Sequence, residues 1–195
     1  MGEKTADRRT RKTRKAIFDA FAELLSEKEL EKITVKELID KADVSRVTFY
    51  NHYLDIYDLH DKFEESTMLE IASLVLELDT LSYKYFFTRL IGYVSENRSA
   101  FRMIFSPHST NKMRFRLEDI LEGLLLQLYL EVNEDAVQTE EIGYMIYYRA
   151  QGMISVIQKW IREEFRTTEE NIIRLMTVLD GRTEEYFTSW MNKRK

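Results

Sequence analysis

The sequence contains no cysteine, a single proline and only six glycines among its 195 residues. The absence of cysteine excludes disulfides and thiolate metal sites, and it is typical of proteins from a reducing compartment. Because strands need frequent turn residues, so little proline and glycine favours long helices. The few scattered glycines also exclude a P-loop and a glycine-rich dinucleotide fingerprint. These absences predict an all-α fold.

Long apolar stretches are missing as well. The most apolar run, Leu121–Leu130, is interrupted by Glu122 and Gln127. It is far shorter than the roughly 18 to 20 residues that span a bilayer. The polar start, MGEKTADRRT, has no secretory signal pattern. We therefore expect a cytoplasmic protein without a membrane partner. With 44% hydrophobic and 32% charged residues, the composition is that of a globular chain.

Residues suited to catalysis or metal binding are sparse. The three histidines, His52, His60 and His108, are widely separated in the sequence. His60 and Glu64 lie one helical turn apart, but two ligands make a poor metal site, so we expect both on the surface. No nucleophile stands in a recognisable catalytic pattern. We expect no enzyme activity, no metal and no cofactor.

The charges are distributed unevenly along the chain. The net charge is −5, yet residues 1–52 carry 12 basic and 10 acidic side chains, and six of the eight residues in 8–15 (RRTRKTRK) are basic. An acidic body with a basic end indicates that this end meets a polyanion. The alternative is a solvated, disordered tail.

Helix signals follow one another closely. Thr34, Ser45 and Asp55 stand where helix caps are expected, and Thr34 with Glu37 has capping-box spacing. Short helices near 35–41 and 46–52 are the size of a helix-turn-helix, and a helix over 9–26 completes a three-helix bundle. Thr167 with Glu170 predicts a cap for the last helix. Periodicity predicts further helices over 55–78, 83–97, 99–105, 110–131, 138–165 and 169–191, the last with a break near Gly181.

The helix over 46–52 has one apolar side chain, Phe49, that faces the bundle. Its other sides carry side chains that bind phosphates and base edges. Arginine bonds guanine and asparagine bonds adenine through two hydrogen bonds each, and hydroxyls hold phosphates. The alternative is an ordinary polar surface helix. The residues concerned are Arg46, Thr48, Tyr50, Asn51 and His52.

The string ITVKELIDKADVSRVTFYNHYLDIYDL resembles the DNA-binding region of TetR/AcrR transcriptional regulators. The resemblance covers about residues 9–60, with a weaker likeness over 144–165. It implies a helix-turn-helix DNA-binding domain over 1–55, with a basic N-terminal arm over 1–15. A helical ligand-binding and dimerisation domain would then occupy 56–195. It also implies a homodimer that contacts two half-sites of double-stranded DNA.

The resemblance also implies roles for single residues. Tyr50 and His52 match phosphate-contacting positions, and Arg46, Val47 and Asn51 match base-contacting positions. The start of the second helix matches backbone-contacting positions, and the cap of the third helix and the basic run join the predicted set. The predicted DNA-binding residues are Thr34, Lys36, Ser45, Arg46, Val47, Thr48, Tyr50, Asn51, His52, Arg8, Arg9, Arg11 and Lys12.

Three departures from the family pattern stand in this region, and one of them is Ile39, where the family often has alanine. The turn reads Ala42-Asp43-Val44-Ser45 where the family usually has Ala-Gly-Val-Ser, and aspartate tolerates a left-handed turn better than most residues. Leu54-Asp55-Ile56 stands where the family commonly carries a lysine, which removes a phosphate anchor.

The remaining helices offer candidates for a ligand pocket and a dimer surface. Aromatic and amide side chains suit an apolar pocket between helices. The expected ligand-binding residues are Phe86, Tyr93, Phe101, Phe105, Phe115, Tyr144, Tyr148 and Gln151. The helix over 138–165 is apolar on two faces, so one face is expected to meet another chain. The expected dimer residues are Gly152, Val156, Lys159 and Trp160.

Together these features predict a ligand-responsive repressor that binds an inverted-repeat operator as a dimer, with a small-molecule effector of unknown identity. The alternative is a helical protein-interaction adaptor that keeps the fold without binding specific DNA. The departure at Leu54-Asp55-Ile56 favours the adaptor. A third interpretation, a small helical enzyme, has no candidate catalytic residues.

Overall fold

The computed structural model describes residues 2–76, 83–108, 111–133 and 138–193, and every regular element in these ranges is helical. This confirms the all-α prediction for the described part. A 3₁₀ turn at Leu30–Lys32 separates the first two α-helices. The helices are α1 (Gly2–Glu27), α2 (Val35–Ala42), α3 (Arg46–Tyr50), α4 (Ile56–Leu76), α5 (Tyr83–Glu96), α6 (Arg98–Ile104), α7 (Asn111–Val132), α8 (Glu140–Arg162) and α9 (Glu169–Asn192).

Most observed helices begin and end within a few residues of their predicted bounds, but two differ. Helix α1 begins at Gly2 rather than residue 9, so the basic run is helical and does not form an extended arm. Helix α9 continues through Gly181, where a break was predicted. An interior glycine costs a helix only about 1 kcal/mol relative to alanine. The packing of α9 against α5 and α8 outweighs that cost.

Three predicted caps are confirmed. Thr34 Oγ1 accepts the Glu37 N–H at 3.3 Å, Ser45 Oγ accepts the Thr48 N–H at 3.1 Å, and Asp55 Oδ1 accepts the Asp58 N–H at 2.8 Å. Each bond satisfies a donor that the first helical turn leaves without a partner. These caps fix where α2, α3 and α4 begin, and therefore fix the short turns between them.

Two capping details were wrong. The capping box predicted from the Thr34 and Glu37 spacing would return the Glu37 carboxylate to the Thr34 amide, but this carboxylate pairs with Lys28 instead. The cap of α9 is Thr168, whose Oγ1 accepts the Asn171 N–H at 3.4 Å, and not Thr167. Local spacing allows either arrangement in both cases. For Glu37, a partner nine residues away decided the outcome, and for α9 the cap moved by one residue.

The described helices form two compact units. The first unit contains residues 1–69 and 97–113, and in it α1 packs against α2 and α6. Phe21, Leu38, Phe49 and Leu59 are fully buried in its core. The predicted domain boundary at residue 55 falls inside this unit, because the first part of α4 also belongs to it.

The second unit contains residues 70–96 and 114–195, and in it α9 packs against both α5 and α8. Trp160, near the end of α8, is fully buried. Its Nε1 donates to the Thr167 carbonyl at 2.7 Å, and its ring meets the edge of Phe165 at 4.9 Å. The prediction of Trp160 as a dimer residue was therefore wrong, because its side chain is enclosed by its own chain.

Candidate nucleic-acid interface

The turn between α2 and α3 is held by one left-handed residue. Asp43 has φ 52° and ψ 48°, and its N–H bonds to the Ile39 carbonyl. The Val44 N–H donates to the same carbonyl at 3.1 Å. Aspartate adopts this conformation more readily than most residues other than glycine. The turn therefore forms without the glycine that the family usually has.

Helix α3 is anchored by a single side chain. Phe49 is fully buried, and its ring lies 5.6 Å from that of Tyr53, which is also buried. The other positions of α3 and its C-terminal cap point away from the core. Val47 is 71% exposed and Tyr50 is 45% exposed. Arg46 and Asn51 are exposed as well, whereas Thr48 and His52 are half-buried.

Contacts within this segment orient the polar side chains. The hydroxyls of Ser45 and Thr48 lie 2.8 Å apart, which fixes the Thr48 side chain beside the cap. The Arg46 guanidinium lies over the Tyr50 ring, 5.6 Å from its centroid. The exposed side of α3 is therefore partly ordered before any partner binds.

The segment Leu54-Asp55-Ile56 has a structural role at each position. Ile56 is buried, Asp55 caps α4, and Leu54 is 80% exposed. The Leu54 N–H donates to the Asp58 carboxylate at 2.9 Å, and Lys62 pairs with the same carboxylate at 2.9 Å. The Leu54 N–H and then Lys62 lower the pKa of Asp58 below its usual value. These carboxylates are therefore already engaged by the protein.

Sequence reasoning missed Lys62 as a candidate phosphate contact. Its Nζ donates to the His52 carbonyl at 3.2 Å, directly after α3. Lys62 therefore places a positive charge directly after α3, near Leu54-Asp55-Ile56, where the family commonly carries a lysine that this chain lacks. The signal in the sequence is the spacing of Asp58 and Lys62, four residues apart on α4.

Further cations lie on α1 and α2. Thr34 and Lys36 are exposed at the start of α2. On α1, Arg8, Arg11 and Lys12 are exposed, and their three- and four-residue spacings place them on one side of the helix. We call these three residues the α1 ridge. The side chain of Arg9 lies outside the described part of the structure.

A second exposed surface, the α8/α9 face, lies on the second unit. Tyr144 is 76% exposed and Tyr148 is 67% exposed. Both line a groove of about 700 Å³ between α8 and α9. An adjoining groove of about 410 Å³ is lined by Tyr148, Gln151, Gly152 and Val156, among others. Exposed apolar side chains from α9, which include Val178, Leu179, Tyr186 and Trp190, complete this face.

The eight predicted ligand residues are divided between the two units. Phe101 and Phe105 belong to the first unit, and the other six belong to the second. Phe86 is buried, Phe115 is exposed, and Tyr144 and Tyr148 lie on the α8/α9 face with Gln151 at its edge. The Tyr93 hydroxyl donates to Glu70 at 3.1 Å, and burial together with the Glu70 charge raises the pKa of Tyr93.

His60 and Glu64 are buried, not on the surface as predicted. His60 Nε2 lies 3.6 Å from one Glu64 oxygen, and Lys112 lies 3.3 Å from the other. Among the described residues, no three histidine, cysteine or carboxylate side chains are grouped to hold a metal ion. Likewise, none of the helices in the described ranges has the length and apolar character needed to cross a bilayer.

Comparisons with known proteins agree with this architecture. A TetR-family model described as "Transcriptional regulator C-terminal region" matches residues 82–179, half of the chain. The chain is also 24% identical over 163 residues to the uncharacterized HTH-type transcriptional regulator YxbF of Bacillus subtilis (strain 168). That match covers 80% of this chain but only 41% of YxbF, so the chain spans about two fifths of the length of this curated relative.

Two solved structures have a similar fold. The dihydroxyacetone kinase operon activator DhaS matches with a TM-score of 0.63 at 20% sequence identity. A TetR transcriptional regulator from Streptococcus agalactiae 2603V matches with a TM-score of 0.56 at 21% identity. Each match covers 90% of this chain and 97% of the other. At these identities the likeness concerns the fold alone.

Proposed function

Because the chain belongs to the TetR family of transcriptional regulators, we propose that it binds an inverted-repeat operator in the cytoplasm as a homodimer and represses transcription there. The observation that carries this proposal is the geometry of α3. Phe49 is buried while Arg46, Val47 and Asn51 are exposed on the remaining sides. The major groove, about 12 Å wide, accepts one such helix.

In this proposal the contacts divide into two classes. Arg46, Val47 and Asn51 contact base edges, where arginine favours guanine, asparagine favours adenine and an apolar side chain favours the thymine methyl. Tyr50, His52, Thr48, Ser45, Thr34 and Lys36 hold phosphates around them. The α1 ridge and Lys62 add positive charge at either end of the footprint. The favourable charge around α3 explains how a chain with a net charge of −5 binds a polyanion.

Dimerisation through the α8/α9 face supports the same function. Exposed tyrosine, leucine and tryptophan side chains on two adjacent helices form the kind of apolar patch that proteins cover by association. A two-fold dimer presents two copies of α3, and these meet successive major grooves when they lie about 34–36 Å apart. Gly152 and Val156 remain in the proposed interface, with Lys159 at its edge.

Control by a small molecule follows from a shift between dimer geometries. A ligand that binds the second unit more tightly in one geometry changes the population that matches the operator. A coupling of about 1–3 kcal/mol changes DNA affinity about 5- to 150-fold. On the second unit, Tyr93 of α5 donates to Glu70 of α4, and Tyr93 lies on the same side of α5 as the aromatic Phe86. Tyr93→Phe is therefore the first variant to compare with wild type when small molecules are screened for DNA release.

The experiment that tests the proposal is selection of bound duplexes from a random DNA pool, followed by affinity measurements over a range of salt concentrations. An enriched inverted repeat whose affinity falls steeply with salt supports a dimeric operator binder. A reporter gene placed behind that repeat then decides the direction of control. Reduced expression supports repression, and increased expression contradicts it. Weak binding without enrichment supports the adaptor.

A further inference from the structure

The Tyr50 ring contacts two neighbours on α3. It lies beneath the Arg46 guanidinium, 5.6 Å from centroid to Cζ. The same ring meets Phe49 at 5.3 Å with the two planes at 84°, an edge-to-face arrangement. Phe49 is fully buried in the core of the first unit. A continuous set of contacts therefore leads from the core, through the Tyr50 ring, to the exposed Arg46.

The stacked position of Arg46 leaves its hydrogen-bonding edge available. Among the hydrogen bonds and ion pairs of the described residues, none involves the Arg46 guanidinium. Arg46 and Tyr50 are four residues apart on α3, so the helix itself brings them together. Stacking on an aromatic ring uses the face of the guanidinium and leaves its N–H edge free. The edge is the part that forms paired hydrogen bonds with guanine O6 and N7.

We propose that the Tyr50 ring positions Arg46 for guanine recognition, so that Tyr50 acts in two separable ways. The ring determines base preference through Arg46, whereas the hydroxyl contributes a phosphate contact that does not depend on sequence. This inference rests on the proposed function, because it needs α3 to lie in the major groove. Tyr50 is thus a positioning residue for base preference, in addition to its contact with the DNA backbone.

The test compares Tyr50→Phe, which keeps the ring, with Tyr50→Leu, which removes it. The probes are the duplex selected by the wild-type protein and the same duplex with 7-deazaguanine, which lacks N7, at each guanine of the half-site in turn. Tyr57→Leu is the matched control, since Tyr57 is also exposed and belongs to the same unit. Thermal unfolding of each variant checks that the fold is retained.

We expect wild type, Tyr50→Phe and Tyr57→Leu to share one preference for guanine over 7-deazaguanine at the contacted position. Tyr50→Phe binds both duplexes more weakly by the same factor. Tyr50→Leu lowers the preference about 2- to 5-fold, the range of an exposed cation–π contact. An equal preference in Tyr50→Phe and Tyr50→Leu would overturn the inference while leaving operator binding intact. A wild-type protein that enriches no sequence would overturn both.

Discussion

The guanidinium of Arg149 on α8 donates two hydrogen bonds to the Asp180 carboxylate on α9, from Nε at 2.7 Å and from Nη2 at 2.8 Å. Both side chains are buried, and the third member of the group, Glu184, pairs with the remaining Nη1. Two carboxylates on α9 therefore share one cation on α8. The pairing fixes the two helices that carry the α8/α9 face in a single register.

Removal of the shared cation should destabilise the protein more than removal of one carboxylate. Arg149→Met leaves the buried Asp180 carboxylate and the half-buried Glu184 carboxylate without their shared cation, and breaking a buried pair in this way costs about 3–5 kcal/mol. Asp180→Asn keeps a hydrogen-bonding group, and Arg149 still pairs with Glu184, so a smaller destabilisation is expected. Unfolding by urea measures both free energies. Equal effects, or a larger effect of Asp180→Asn, would contradict the shared-cation arrangement.

The cap of α3 allows stability and DNA binding to be separated at one residue. Ser45→Ala removes the acceptor for the Thr48 N–H and should lower the free energy of unfolding by about 1 kcal/mol. Ser45→Asp keeps a cap of equal strength but adds a negative charge where phosphates are expected to lie. Urea unfolding and DNA affinity are measured for both variants. We expect Ser45→Asp to unfold like wild type and to bind DNA more weakly. Unchanged DNA affinity would place Ser45 outside the interface.

The α1 ridge should contribute affinity that does not depend on DNA sequence. Arg11→Gln with Lys12→Gln removes two exposed cations from each chain. The slope of log affinity against log salt concentration is negative. For every phosphate that is no longer neutralised, this slope should become less steep by about 0.9. Arg116→Gln with Arg162→Gln changes the net charge equally on the second unit and serves as the control. A slope that changes equally in both pairs would mean that net charge, and not the ridge, is responsible.

The absence of cysteine makes the proposed dimer surface easy to probe with one introduced thiol. A Cβ atom at Gly152 would meet nothing within 4 Å, so Gly152→Cys should fold normally. In a two-fold interface, a residue near the axis faces its own copy. A disulfide needs Cα atoms about 4.4–6.8 Å apart. If the two copies of Gly152 face each other at the axis, mild oxidation should link two chains of Gly152→Cys.

The control for this cross-link is Arg116→Cys, an exposed position on α7. Electrophoresis without reductant, together with sedimentation of the untreated proteins, gives the yield and the oligomeric state. A wild-type dimer whose Gly152→Cys variant remains unlinked would show that the two α8 helices do not meet at this residue. Equal linking of both variants would show random collision.

Local signals predicted the first unit well. Capping-box spacing predicted Thr34 as a cap, and the flanking apolar pairs Val44–Phe49 and Leu54–Leu59 predicted Ser45 and Asp55. The start of α1 was placed too late because the apolar stripe begins near residue 16, and a polar helical turn before it leaves no periodic signal. The pairing of Glu37 with Lys28, nine residues away, could not be deduced from capping-box spacing.

Non-local packing accounts for the other differences. Periodicity placed Trp160 on the same face of α8 as Ile142 and Ile157, but it did not show which of the two apolar faces meets another chain. The bond from Trp160 to the Thr167 carbonyl depends on the turn between α8 and α9, where Glu164 and Phe165 have φ values of 55° and 56°. The burial of His60 and Glu64 was missed in the same way, because Lys112, which pairs with Glu64, is distant in sequence. Burial that depends on distant segments is invisible to spacing alone.

Whether α3 is the recognition helix is decided by the ratio of affinities for the selected duplex and a scrambled duplex at one salt concentration. The ratio is measured for wild type, Asn51→Ala, and Arg46→Ala with Asn51→Ala. We predict a wild-type ratio of at least about 10³. Asn51→Ala should lower that ratio, because the preference at one position of each half-site is lost, and the double variant should lower it further. The affinity for the scrambled duplex should change little in both variants. A wild-type ratio near one, or a ratio unchanged in the double variant, would contradict the assignment of α3 as the recognition helix.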